Sequence, residues 1–150
     1  MEKNIFKKTE GILYNYKQIK AEIENLQLEI AYLKNNFEGV GSITYEEKTG
    51  ETNKISNMIE REIVDREKKF KYLERALKEK EKLMAKVDNA LRVLNEKERE
   101  IVTLKCIDDN PWEYVITKTY LRQSRASEIK NKAIIKLANT IFVNETLRIS

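Results

Sequence analysis

The first 37 residues repeat apolar side chains at spacings that alternate between four and three. Tyr16, Ile23, Ile30 and Phe37 occupy one position of a seven-residue frame. Ile5, Ile12, Ile19, Leu26 and Leu33 occupy the position four residues ahead of it, and Thr9 is the one interruption. A pattern held over more than four heptads calls for a coiled-coil helix, here spanning about residues 3–37 and on the order of 50 Å long. Its stripe is narrow, so the helix needs a partner to be stable.

A second heptad run covers about residues 54–92. Ile63, Phe70, Leu77, Met84 and Leu91 fill one seam position; Ile59, Arg66, Leu73, Lys80, Val87 and Leu94 fill the other. The long stems of Arg66 and Lys80 cover apolar surface while their charges reach water, and such breaks fix register. Between the two runs, residues 38–53 hold three of the four glycines, a short strand-like stretch at Ser42–Tyr45 and a turn-prone Lys48-Thr49-Gly50. That connection is longer than the usual two to eight residues and marks a functional loop. Residues 1–93 are therefore expected to form an antiparallel helical hairpin that dimerises or spaces. Ile12, Tyr16, Ile19, Ile23, Leu26, Ile30 and Leu33 would carry the contact between copies. Two hairpins would pair into a four-helix bundle; parallel pairing between chains is the rival arrangement. Leu13 and Leu28 flank the stripe and would need the second copy to cover them.

Residues 94–150 read as a separate module of three short helices at about 96–106, 111–119 and 124–142. Asn110-Pro111 with Glu113 is a start signal, and Ser124 suits the cap of the last helix. On that helix Ala126, Ile129, Ala133, Ile134, Leu137 and Ile141 share a buried face. Six cations against one acid between Tyr114 and Val143 make this stretch basic. Short basic helices of this order suit a helix-turn-helix that enters the major groove of double-stranded DNA. Lys118, Arg122, Lys130 and Lys136 are expected on phosphates. Gln123, Ser124, Arg125, Ser127, Asn131 and Lys132 are expected to read or flank bases, with Arg125 suited to guanine and Gln123 or Asn131 to adenine. Arg125 and Asn131 are expected on nearly the same edge. Trp112 and Tyr114 read as core aromatics and Cys106 as an inert, semi-buried thiol.

Other chemistry is poorly served. The chain has no histidine and one cysteine, which excludes an internal disulfide and an ordinary structural zinc site. There is no phosphate-binding glycine loop and no nucleophile elbow, so neither an enzyme nor a cofactor is expected. No apolar stretch approaches the roughly 18 residues of a membrane span. No signal-peptide core stands at the start. A cytoplasmic, nucleoid-associated protein follows.

The run from Leu94 to Leu137 resembles region 4 of sigma-70 factors, which aligns over it without a gap. In that alignment the cap of the last helix falls at Arg122. The family has glycine at its tight turn where this chain has Tyr120, which implies a turn one or two residues longer or a tyrosine plugging the core. Taken whole, the chain resembles small phage late-gene regulators of the ArpU/RinA type. Leu94, Glu98, Ile101, Leu104, Trp112, Val115, Tyr120, Ser124, Ala133, Lys136, Leu137 and the ending Ile141-Phe142 carry that likeness. It implies a sequence-specific, DNA-binding late-gene activator of bacterial host cells that acts with RNA polymerase. Two other classes fit less of the pattern. A phage small terminase subunit for DNA packaging also pairs such a module with a helical hairpin, though in the opposite order. A coiled-coil adaptor would bind protein and leave DNA alone.

Overall fold

The computed structural model describes residues 3–41 and 52–147. Over these residues the chain is all-α. The helices are α1 (Lys3–Tyr14), α2 (Tyr16–Gly41), α3 (Thr52–Val93), α4 (Glu96–Val102), α5 (Trp112–Thr119), α6 (Gln123–Ile141) and α7 (Val143–Leu147). A π-turn, Thr103–Ile107, extends α4. The strand-like run and the Lys48-Thr49-Gly50 turn lie outside the described residues.

At Asn15, between α1 and α2, the helical ladder continues: its amide donates to the Gly11 carbonyl at 3.0 Å, and its carbonyl accepts from Ile19 at 2.8 Å. The chain divides into two compact units, residues 21–81 in one and residues 1–20 with 82–150 in the other.

The unit of residues 21–81 has a thin seam. Ile23, Leu26, Ile30 and Leu33 on α2, like Ile59, Ile63, Phe70, Leu73 and Leu77 on α3, are only half-buried. Lys80, the basic break in the second heptad run, reaches Glu22 at 3.1 Å, and Gln27 donates to Glu81 at 3.4 Å.

The other unit holds a closed core in which α6 packs on α4 and α1. Ile5, Thr9 and Leu13 form a buried stripe at four-residue spacing on α1. Thr9, which interrupts the heptads, belongs to this core, and its hydroxyl is satisfied by the Ile5 carbonyl at 2.8 Å. Leu13 is fully buried within the one chain and needs no second copy to cover it. Met84, Val87 and Ala90 from the end of α3 join Leu94, Ile101, Val102 and Cys106. From α5 come Val115 and Thr119, and from α6 Ala126, Ala133, Ile134, Leu137, Ala138 and Ile141. The module expected at 94–150 thus shares one core with residues of α1 and the last turns of α3. Burying the valine, leucine, isoleucine and methionine side chains among these stabilises the unit by roughly 1.5–3 kcal/mol each. Tyr16 lies here too, its hydroxyl donating to Asp88 at 2.6 Å.

Candidate nucleic-acid interface

Three local devices set up α4 to α6. Asn95 and Glu98 form a capping box: the Glu98 amide donates to Asn95 Oδ1 at 2.8 Å, and the Asn95 amide donates to Glu98 Oε1 at 3.0 Å. Arg99 turns back over the end of α3, donating to the carbonyls of Leu91 at 3.1 Å and Leu94 at 3.0 Å, which satisfies acceptors that every helix end leaves open. Asn110 does not cap α5, as its position before Pro111 suggests. Its Nδ2 donates to the Leu104 carbonyl at 2.9 Å, closing the π-turn, and Pro111 takes the cap position.

The last helix begins earlier than the Ser124 signal implies. Its cap is Arg122, in extended conformation, with no side chain bonded to the first amides and no acid in the first turn. Arg122, Gln123, Ser124 and Arg125 are all exposed, as is Lys118 at the end of α5, whose ammonium lies 5.5 Å from the centre of the Tyr114 ring. Ser127 is half-buried. Arg125 and Lys132 both reach Glu128, each at 3.3 Å, so the exposed flank is a partly neutralised charge ladder. Those two cations, chiefly through hydrogen bonds from Lys132 and then Arg125, hold the Glu128 carboxyl below its ordinary value.

Two expected phosphate contacts are held in ion pairs between helices. Lys130 sits four residues after Ala126 and four before Ile134, so helical geometry places it within the apolar stripe. Its side chain is only 14% exposed and pairs with Glu10 of α1 at 3.3 Å. Lys136 pairs with Glu98 at 2.9 Å, joining α6 to α4.

Arg125 and Asn131 also part company. Six residues of α-helix turn through roughly 600°, leaving them about 120° apart. Accordingly Arg125 borders a groove of about 250 Å³ lined by Asn95, Lys97, Glu98, Ile129 and Lys132. Asn131 instead borders a second hollow with Lys3, Phe6, Lys7, Glu10 and Ile135.

Tyr120 does not plug the core. It ends α5 in the left-handed conformation (φ 58°, ψ 26°), with its side chain turned into solvent. Sequence reasoning did not assign it a role, though a tyrosine where a tight turn favours glycine was the signal.

Trp112 is half-buried, with the ammonium groups of Lys105 and Lys130 at 5.3 and 6.0 Å from its ring. Cys106 is buried, and burial pushes its thiol up to about 11. Among the described residues, no cluster of His, Cys, Asp or Glu is arranged to hold a metal, and no helix is long and apolar enough to cross a membrane. The chain matches no known protein family, no curated protein and no solved structure.

Proposed function

We propose that this protein is a sequence-specific, DNA-binding transcriptional regulator whose α5–turn–α6 segment is a helix-turn-helix, with α6 entering the major groove. The observation that carries the reading is the first turn of α6. Arg122, Gln123, Ser124 and Arg125 are all exposed on a helix start that no side chain caps and whose first turn holds no acid. That end offers free amides and the positive end of the helix dipole beside side chains able to bond base edges. Lys118 and Arg122 are the phosphate contacts this geometry favours, and Arg125 the base reader. The likeness to phage late-gene regulators adds an expected setting: activation at a promoter together with RNA polymerase.

The same reading includes a homodimer, in which an antiparallel hairpin of α2 and α3 pairs with a second copy. Tyr16 and Lys20 pair with Asp88, whereas Glu22 pairs with Lys80. Partners at residue 88 for Tyr16 and Lys20, against residues 80 and 81 for Glu22 and Gln27, support the antiparallel course. The half-buried seam of residues 21–81 supports the second copy.

Gel-shift titrations at two salt concentrations test the DNA reading. Arg125→Ala should erode discrimination between cognate and random duplex, by ~1–3 kcal/mol at one position. Lys118→Ala should weaken binding to both and lower the salt slope by about one. A wild-type protein with no salt-sensitive affinity for any promoter-derived duplex would end the regulator reading and favour the adaptor.

A further inference from the structure

We infer that Tyr120 is a DNA-backbone anchor, its phenol laid against the sugar–phosphate chain at the edge of the groove that α6 enters. The inference rests on the DNA reading above and extends it to a residue outside the basic set.

Among the described residues, only Asp109 and Tyr120 combine a side chain with positive φ. Aspartate tolerates that region through local hydrogen bonding, whereas a bulky aromatic incurs steric strain that glycine avoids. Strain of this kind persists in a fold when something offsets it, and it concentrates at functional sites. Packing does not offset it here. The Tyr120 residue is 94% exposed, the highest exposure of the large apolar side chains described.

The surroundings indicate the ligand chemistry. Tyr120 stands between Lys118 and Arg122, with exposed Gln123, Ser124 and Arg125 following. The neighbouring Thr119 hydroxyl turns inward, donating to the Val115 carbonyl at 2.8 Å. An exposed aromatic set among cations suits a polyanion with flat or apolar faces between its charges. The sugar–phosphate backbone has that character: the phenolic hydroxyl donates to a phosphate oxygen while the ring covers deoxyribose. Such a contact positions the protein without reading sequence.

The test uses the full chain with two duplexes of equal length, one carrying the segment that wild-type protein protects from nuclease and one with that segment scrambled. Tyr120→Gly should raise Kd roughly three- to tenfold on both duplexes, as expected for loss of about one neutral hydrogen bond and its apolar cover. The salt slope should stay at the wild-type value, because an uncharged phenol displaces no counterion. The melting temperature should rise as the strain is relieved. Tyr120→Phe should melt as wild type and lose the part of the affinity that belongs to the hydroxyl. A merely structural tyrosine would move stability and affinity together; an anchor moves them in opposite directions. The inference is overturned if wild type binds and Tyr120→Gly binds both duplexes as tightly, or if the loss is confined to one duplex. Retained affinity with lost activation in a reporter would assign Tyr120 to a protein partner. Should wild type itself fail to bind either duplex, the DNA reading fails with it.

Discussion

Lys136 Nζ lies 2.9 Å from Glu98 Oε2 and 3.0 Å from Oε1, so one ammonium spans a carboxylate whose side chain is only 7% exposed. Burial pushes the Glu98 pKa up, but the hydrogen bond from Lys136, the Asn95 amide and the attraction of the ammonium outweigh it, and the net shift is downward. Lys136→Ala should therefore destabilise the protein by ~1–3 kcal/mol, since it strands a buried charge. In the wild type the unfolded chain takes up the Glu98 proton first as pH falls. The contribution of the pair is thus complete above the ordinary value of 4.5 and lost as pH drops through the lower folded value. Urea melts of wild type and Lys136→Ala, compared above and below that value, check both the sign and the window.

The α1 stripe sets a second expectation. Leu13 is fully exchanged from water into the core shared with α6, so Leu13→Ala should cost ~2–5 kcal/mol in denaturant titration. A fragment of residues 94–150 lacks Ile5, Thr9, Leu13 and Val87, and should show no cooperative melt. Cooperative unfolding of that fragment would show that the α1 contacts are dispensable.

Dimerisation should depend on the half-buried seam of residues 21–81. Sedimentation is expected to show a dimer at micromolar concentration. Ile23→Asp or Leu26→Asp should raise its Kd roughly tenfold or more, because each places a charge in an apolar contact. A wild-type monomer well above that concentration would remove the dimer from the reading.

Cys106 should resist thiol reagents in the native protein. With its thiol pushed up to about 11 by burial, its thiolate at neutral pH falls to a fraction on the order of 10⁻⁴. Labelling with an aromatic disulfide should become fast only in denaturant; rapid labelling of the folded chain would contradict the buried placement.

Much of this architecture is legible in the residues, because helical periodicity is a local property. The extent of α3 follows from its heptads, and most of the buried face of α6 from its apolar spacing. What escaped is non-local. A heptad frame predicts a partner helix without saying which one, so Ile5, Thr9 and Leu13 gave no sign that they would pack on α6. Lys130 was assigned by its charge, although its place between Ala126 and Ile134 already set it on the inner face. Asn110 was read forward as a cap, because the π-turn whose carbonyl it satisfies has no sequence signature. At Tyr120 the likeness marks the position, where the family has glycine, but only the backbone angle reveals the left-handed turn.

The union of α1 and α6 in one core also governs when that core can close during synthesis. Ile5, Thr9 and Leu13 emerge from the ribosome long before α6, the helix on which α1 packs. Contacts so far apart in the chain close late. A nascent chain halted before α6 keeps its first apolar stripe uncovered. Until α6 arrives, that open stripe is a surface prone to misassociation.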